Sequence, residues 1–353
     1  MSSIGSHNII ELLNCLRCGR CRTVCPTLES EGWESMGPRG RIMLGLNYLE
    51  KTKWIEGTEK SIYTCTTCQA CSNICPSDVE VESIVESMRR AYLKDCVDNR
   101  RINEMYEAIS VFGNPMSDKR SRRAWLEGID GISLKKRSDI VYFVGCLPSY
   151  RSVDIAASTL RILSDYGISL LDDEKCCGSP LFRMGMNSPT FDSNIRQIEE
   201  SGAEIILTSC AGCYKTLKND YELECKVIHT AEFFHEHLDE IDPGKLDLTV
   251  TYHDPCHLGR GGGVIDEPRA VIERICGLSE MKRNRELSGC CGGGGGVRSG
   301  YHELSTSIAE RRLDDLPPDV DLIVTACPLC LINLADVGGK VIDLSELIER
   351  SKK

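Results

Sequence analysis

The sequence lacks any apolar run that approaches the ~18 residues needed for a membrane-spanning helix. It also lacks an excess of positive charge: the net charge of -11 at pH 7 argues against a nucleic-acid-binding protein. No basic-plus-apolar signal peptide precedes the first cysteine motif, so we expect a cytoplasmic protein that reaches a membrane only through a partner subunit. Neither a Rossmann fingerprint nor another flavin motif occurs, so a partner must supply or accept electrons.

What the chain has in abundance is cysteine. It contains 21 cysteines in 353 residues, and most of them stand in Cys-x-x-Cys or Cys-Cys groups. Disulfide frameworks of this density belong to short secreted domains, whereas this length predicts two or three domains with buried cores. Metal ligation in a reducing compartment is the better interpretation.

Two runs of four cysteines have the spacing C-x2-C-x2-C-x3-C-P, which is typical of bacterial [4Fe-4S] ferredoxins. In that pattern the fourth cysteine of each run ligates the cluster of the other run. Zinc ribbons would instead use pairs of cysteines. The sequence therefore predicts one cubane cluster on Cys15, Cys18, Cys21 and Cys75, and a second on Cys65, Cys68, Cys71 and Cys25.

A five-cysteine pattern built around Cys-Cys-Gly occurs twice in the rest of the chain. Its members are Cys146, Cys176, Cys177, Cys210 and Cys213, and then Cys256, Cys290, Cys291, Cys327 and Cys330. Matching positions are offset by 110, 114, 114, 117 and 117 residues, which indicates an internal duplication. Adjacent cysteines diverge too much to chelate one ion easily, but they can serve different irons of a larger cluster. Zinc in one of these sites, or in both, is the alternative.

The hydrophobic pattern predicts helices first and an α/β arrangement afterwards. We predict helices over residues 41–48, 80–97, 152–166 and 267–277, and strands over 140–144, 204–208, 248–252 and 321–325. Short strands that alternate with helices predict parallel sheets, and ligands of such sheets bind beyond the carboxyl ends of the strands. The predicted domains are a helical two-cluster domain (1–112), a basic linker with a short helix, otherwise solvated (113–139), and two duplicated α/β domains (140–246 and 247–353).

This order of motifs resembles the Cys-Cys-Gly (CCG) iron–sulfur family, and most closely the D subunits of heterodisulfide reductase, over essentially the whole chain. The resemblance implies that each five-cysteine set holds a noncubane [4Fe-4S] cluster that faces the interface between the two CCG domains. The corresponding hypothesis is an oxidoreductase that works within a complex. Its cubanes relay single electrons to the CCG clusters, which cleave a small-molecule disulfide such as coenzyme M-S-S-coenzyme B.

The same architecture occurs in iron–sulfur subunits of FAD-linked glycolate, lactate or glycerol-3-phosphate dehydrogenases, and a pure electron-transfer role of that kind is the alternative. Those relatives often lack part of one five-cysteine set, whereas this chain retains all ten cysteines, which favours the disulfide reductase. The expected partner is a membrane cytochrome b in the first case and a flavoprotein in the second.

Several residues outside the motifs have two interpretations each. Cys96, Cys225 and Cys276 are expected to be small core hydrophobes. His253 and His257 flank Cys256 and either donate protons to product thiolates or donate hydrogen bonds to cluster sulfur. Three cations either bind an anionic substrate or balance cluster charge: Lys215, Arg260 and Arg298.

Overall fold

The computed structural model describes residues 4–51, 53–95, 99–129, 132 and 134–352. Its N-terminal part is helical, as predicted. The helices are α1 (Ser6–Asn14), α2 (Pro26–Glu31), α3 (Pro38–Lys51), α4 (Thr58–Tyr63), α5 (Ala70–Asn73), α6 (Val81–Asp95) and α7 (Arg100–Phe112), with 3-10 turns at Arg20–Val24 and Glu34–Met36.

Helix α6 illustrates why this part folds as helices. Its apolar residues Ile84, Val85, Met88 and Ala91 recur at helical spacing and are fully buried. The predicted helix over 80–97 corresponds to it as far as Asp95, and Cys96 and Val97 lie outside the described residues.

The basic segment that follows α7 lies against the next part of the chain at two points. It contains a 3-10 turn at Ala124–Leu126, and Trp125 of that turn is only 5% exposed. The carbonyl of Gly113 accepts a hydrogen bond from the backbone N–H of Cys176 at 2.8 Å. These contacts bring part of the segment beside the first five-cysteine set.

Two parallel sheets form the duplicated part, which confirms the predicted fold class. The first sheet has the order β1-β2-β3, and the second has the order β5-β4-β6-β7. An isolated parallel bridge between Val141 and Ser169 takes the place that β5 has in the second sheet. The strands are β1 (Ile140–Tyr142), β2 (Ile205–Thr208), β3 (Lys226–His229), β4 (Thr249–His253), β5 (Gly277–Leu278), β6 (Leu322–Thr325) and β7 (Val341–Asp343).

Helices cover these sheets. In the first half they are α8 (Cys146–Tyr150), α9 (Val153–Leu163), α10 (Ser179–Arg183), α11 (Phe191–Ser201), α12 (Ala211–Asn219), α13 (Thr230–Glu236) and α14 (Leu238–Ile241), with a 3-10 turn at Ser164–Tyr166. In the second half they are α15 (Gly259–Gly262), α16 (Asp266–Ile275), α17 (Val297–Gly300), α18 (His302–Leu313), α19 (Pro328–Ala335) and α20 (Leu344–Ser351), with a 3-10 turn at Arg285–Leu287. None of the helices in the described ranges has the length and apolar character that a membrane crossing needs.

The two halves pack reciprocally. Helix α13 of the first half packs on α16 of the second, and α20 of the second packs on α9 of the first. Ser158 on α9 donates a hydrogen bond to Glu349 on α20 at 2.6 Å, and Arg161 pairs with the same carboxylate. One hydrophobic core runs through both halves, so they form a single packed unit with pseudo-twofold symmetry.

Some predicted boundaries shift for identifiable reasons. The strand predicted over 140–144 ends at Tyr142, because the N–H groups of Val144 and Gly145 donate to the buried carboxylate of Glu174 instead of to a neighbouring strand. The helix predicted over 267–277 runs from Asp266 to Ile275 and gives way to β5.

Candidate metal centres

The first ferredoxin motif brings four predicted ligands around one small cavity, which is lined by Cys15, Cys18, Cys21 and Cys75. Burial and the neighbouring thiolates of Cys15, Cys18 and Cys75 raise the pKa of the Cys21 thiol to about 11. Crowded thiolates repel one another, and bound iron relieves that repulsion because the metal takes the deprotonated form. Cys75 comes from the second motif, so the predicted exchange of fourth ligands agrees with the chain path.

The second motif repeats this arrangement. Its backbone enters the left-handed region at Thr67 and Gln69, as the first motif does at Arg17 and Gly19. The Sγ of the first cysteine in each motif accepts the N–H two residues later at 3.4 Å, which is the kind of donor that sulfur ligands of a cluster receive. The cavity at this motif is lined by Cys25, Cys65, Cys68 and Cys71.

In the first CCG half, two of the five cysteines lie at the carboxyl ends of parallel strands, as expected. Cys146 begins α8 just after β1, and Cys210 precedes α12 just after β2. The five thiols form a continuous series of side-chain contacts in the order Cys146, Cys176, Cys177, Cys213 and Cys210. An all-sulfur set of this kind fits a polynuclear iron–sulfur cluster better than a mononuclear ion, because it exceeds four donors.

The second CCG half repeats the same series with matching residues, in the order Cys256, Cys290, Cys291, Cys330 and Cys327. It adds a ring nitrogen: the ligand atoms of His253, Cys291 and Cys330 all lie within 4.8 Å of one another. A zinc ion could use such a trio, so the role of His253 decides between zinc and iron at this position.

The two CCG sites meet at the interface between the halves. The thiols of Cys210 and Cys327 contact each other across it. A cavity of about 500 Å³ opens beside them. Apart from Cys290, every cysteine of the two five-cysteine sets lines it, together with the apolar side chains of Met105, Met116, Leu147, Leu329 and Ile332. One cavity therefore faces both candidate centres.

The ferredoxin part docks on the second half in particular. The thiol of Cys68 contacts that of Cys290, so the second ferredoxin site lies directly beside the second CCG site. The glycine run makes this approach possible, because a Cβ at Gly295 would lie 2.2 Å from the carbonyl oxygen of Cys65. Part of the run, from Gly293 to Gly296, also lines the interface cavity.

The structure separates the roles of the two histidines near Cys256. His257 Nε2 lies 3.2 Å from the carbonyl oxygen of Thr67, which can only accept, so Nε2 carries a proton and donates it there. Burial and the cations of Lys215 and Arg183 hold the pKa of His257 well below its usual value. Its single proton is committed to Thr67, so the proton-donor hypothesis does not fit His257.

The three candidate anion-binding cations differ in position. Arg298 lines the cavity and pairs with Asp336 at 2.6 Å. Arg260 instead donates to the backbone carbonyls of Cys68 and Ser288, both at 2.7 Å, and so fastens the ferredoxin part to the second half. Lys215 is buried near His257, where its charge acts on that ring.

The isolated cysteines are placed as follows. Cys276 is buried at the end of α16, and Cys225 is half-buried against the core. Both positions suit the predicted role of small apolar residues, whereas Cys96 lies outside the described residues.

Sequence reasoning missed two buried arginines at the centres. Arg122, from the basic segment, lies 3.2 Å from the Sγ of Cys146 and pairs with Glu174. Arg89, on α6, donates to backbone carbonyls of the ferredoxin part and of both CCG halves. No signal in the sequence distinguishes Arg122 from the other cations of its segment, because the segment has no periodicity.

Comparison with known proteins agrees with this arrangement. Residues 11–79 match the 4Fe-4S dicluster domain, and residues 140–218 and 250–335 each match the cysteine-rich domain named CCG. Similar relatives include the D subunits of dihydromethanophenazine:CoB--CoM heterodisulfide reductase. The one from Methanosarcina acetivorans is 35% identical, over 93% of this chain and 89% of the relative. A fumarate reductase (CoM/CoB) component from Methanothermobacter marburgensis is 32% identical, over 96% of this chain and 72% of the relative. The EtfAB:quinone oxidoreductase of Syntrophomonas wolfei is 26% identical, over 99% of this chain and 59% of the relative.

Proposed function

Because this chain belongs to the family of heterodisulfide reductase D subunits, we propose that it is the iron–sulfur subunit of a reductase complex that cleaves a small-molecule disulfide such as coenzyme M-S-S-coenzyme B. In this proposal the eight ferredoxin cysteines hold two cubane clusters and the ten CCG cysteines hold two noncubane [4Fe-4S] clusters. When bound, these clusters supply electrons one at a time.

The reaction needs two electrons and two protons: the S–S bond of R–S–S–R′ breaks, and RSH and R′SH form. The electrons come from a partner subunit that carries a flavin or a heme. The protons come from solvent at the cavity rim, where Ser299 and His302 lie, because the His257 proton is committed to Thr67.

The observation that carries the proposal is the shared cavity between the halves. A disulfide has two sulfurs, and the cavity presents cysteines of one CCG set to each of them. Its volume of about 500 Å³ lies within the range of small-molecule sites. Met105, Met116 and Leu147 form an apolar wall that would keep water away from an alkyl chain of the substrate. Arg298 lies on the same cavity and would bind an acidic substituent.

The electron-exchanging partner would dock where the first ferredoxin site reaches the surface. Cys18 is exposed there, and the apolar side chains of Leu13 and Leu16 are 68% and 69% exposed. Arg17 and Arg20 flank them, so an acidic partner surface would be complementary. Leu16→Glu should slow reduction by the natural partner but not by a small viologen dye. Val111→Glu, a change at an apolar residue on α7 that is 66% exposed, should leave both rates unchanged.

The experiment that tests the reaction starts with anaerobically purified protein. Four clusters require about sixteen irons and as much acid-labile sulfide per chain. Reduced benzyl viologen should then be oxidised when a suitable heterodisulfide is added, with two electrons consumed per disulfide. Iron in the ferredoxin sites alone, with zinc in both CCG sites, would contradict the proposal.

A pure electron-transfer role is the second candidate. It is favoured by the relative named EtfAB:quinone oxidoreductase, which aligns with 99% of this chain. A flavin dehydrogenase partner, including one for glycolate, lactate or glycerol 3-phosphate, would then exchange electrons with the chain. Fully loaded protein that is reduced by such a flavoprotein, but that reduces no disulfide, would favour this role.

A further inference from the structure

The duplication places an arginine–carboxylate pair near each CCG site, but the two arginines lie at different distances from sulfur. In the first half Arg122 Nη2 lies 3.2 Å from the Sγ of Cys146, and Arg122 Nη1 lies 3.1 Å from Glu174. The Glu174 oxygens also accept the N–H groups of Val144 and Gly145, which spreads their charge away from the sulfur. The guanidinium therefore stands between the carboxylate and the thiolate.

In the second half an imidazole separates the cation from sulfur. Arg312 pairs with Asp315 at 2.7 Å, and its Nε donates to His253 Nδ1 at 3.0 Å. An arginine has no acceptor atom, so Nδ1 must accept and cannot carry a proton. The ring is consequently neutral, with its one proton on Nε2.

The remaining nitrogen of His253 points at the cluster cysteines. His253 is 1% exposed, and among the described residues its Nε2 has no oxygen or nitrogen partner, so the Cys291 thiol is the acceptor that it faces. The ring lies within 4.8 Å of the Sγ atoms of Cys291 and Cys330. A protonated Nε2 donates to sulfur and cannot ligate a metal. A metal-bound histidine normally donates its other ring N–H to an acceptor, and Arg312 offers only a donor. His253 is therefore not a zinc ligand.

We propose that the two CCG sites bind electrons unequally, because a charged guanidinium from Arg122 donates to sulfur in the first half and a neutral imidazole from His253 donates in the second. Donors and positive charge near the sulfurs stabilise the reduced, more negative cluster. Charged donors are roughly twice as strong as neutral ones. Arg260 is a buried cation near Cys256 and Cys290 of the second half, but it donates to the carbonyls of Cys68 and Ser288 and not to sulfur. The first half therefore has the higher midpoint potential, and Arg122 and His253 are residues that tune the two sites.

This inequality agrees with the position of the ferredoxin part. Cys68 contacts Cys290, so the second CCG half lies next to the second ferredoxin site, and the first half lies beyond it across the contact between Cys210 and Cys327. Electrons that enter at the second half would move toward the higher potential of the first. The inference rests on the proposed function only in that each half must hold a cluster.

The test is an EPR-monitored redox titration of the full-length, anaerobically loaded protein. Arg122→Gln should weaken the electron affinity of the cluster that gives one of the two CCG signals at least tenfold. This lowers its midpoint potential by about 59 mV for a one-electron couple. His253→Phe should lower the midpoint of the other signal, and in the unmodified protein that other signal should titrate at the lower potential. Iron and sulfide content should stay at the unmodified value in both variants.

Controls keep the result interpretable. Arg123→Gln removes a neighbouring arginine that pairs with the exposed Asp172, so it should shift neither midpoint. Arg122→Gln leaves Glu174 buried without its cation, so the double variant Arg122→Gln, Glu174→Gln is titrated alongside and should show the same direction of shift.

Three outcomes would overturn the inference. Full iron content with unmoved midpoints would overturn it and leave the proposed function intact. Loss of one cluster's iron in His253→Phe would identify the imidazole as a ligand. Iron sufficient only for the ferredoxin sites in the unmodified protein would overturn the proposed function and the inference together.

Discussion

Arg89 offers the sharpest test of how the ferredoxin part is held on the duplicated part. This residue is 0% exposed, and its guanidinium donates to four backbone carbonyls: those of Ile62, Cys65, Arg183 and Gly295. The first two carbonyls belong to the ferredoxin part, the third to the first CCG half and the fourth to the second. One side chain thus joins all three parts of the chain.

The magnitude for Arg89→Leu follows from these contacts. Each buried carbonyl left without a donor costs about 1–3 kcal/mol, which gives ~4–12 kcal/mol for four. Removing a buried cation returns part of this, because its own desolvation is no longer needed. We therefore expect a net loss of about 3–5 kcal/mol, toward the lower end of that range. Arg89→Lys keeps the charge but has fewer donors, so its stability should lie between that of the unmodified protein and that of Arg89→Leu.

The assay is the rate of unfolding in a fixed concentration of urea, followed by the loss of cluster absorbance, because multidomain proteins of this kind unfold irreversibly. If half of the loss appears in the unfolding barrier, the rate rises at least about tenfold. Arg90→Leu is the matched control, since Arg90 is the next residue on the same helix and is exposed. Rates for Arg89→Leu and Arg90→Leu that agree within about a factor of two would refute this reasoning.

Three further predictions concern single contacts. Burial raises the pKa of the Asp343 carboxyl to about 7, so the stabilisation by its protonated form is complete below about pH 4 and is lost as the pH rises through ~7. Between these pH values the free energy of unfolding should therefore fall relative to that of Asp343→Asn. A difference between the two proteins that stays constant with pH would contradict this. Gly295→Ala should make the junction with the ferredoxin part more sensitive to limited proteolysis than Gly202→Ala does, because both glycines have positive φ but only at Gly295 would a Cβ clash, with the Cys65 carbonyl. His257→Ala should cost about 1 kcal/mol in thermal unfolding and leave disulfide turnover unchanged, whereas loss of turnover with intact clusters would restore the proton-donor role.

The sequence predicted the features that depend on the spacing of cysteines and of apolar residues along the chain. The family resemblance and the fold class are confirmed, because the cysteine runs have fixed intervals and the strands before Cys146, Cys210 and Cys327 are apolar runs of ordinary length. The ligand assignments of the cysteines and the domain boundaries at 112, 139 and 246 stay predictions.

The remaining features depend on contacts between distant residues. The strands β3, β5 and β7 were not predicted, because runs of two to four residues carry little periodicity and no cysteine motif follows these three strands. The roles of Arg122 and Arg312 depend on which sulfur or ring each one reaches after folding. The cysteine pattern predicts a duplicated site, whereas the donors near each copy come from outside that pattern.

The reciprocal packing of α9, α13, α16 and α20 has a consequence for biosynthesis. Synthesis proceeds from the N-terminus, so α9 and α13 emerge well before the helices that cover them, which lie at Asp266–Ile275 and Leu344–Ser351. The first half cannot complete its core until α20 has left the ribosome. Iron delivered to Cys146 and its partners during translation would reach a site that the second half does not yet cover. We therefore expect the interface pair of centres to mature after α20 has been made, whereas the ferredoxin motifs are complete once residue 76 has been made.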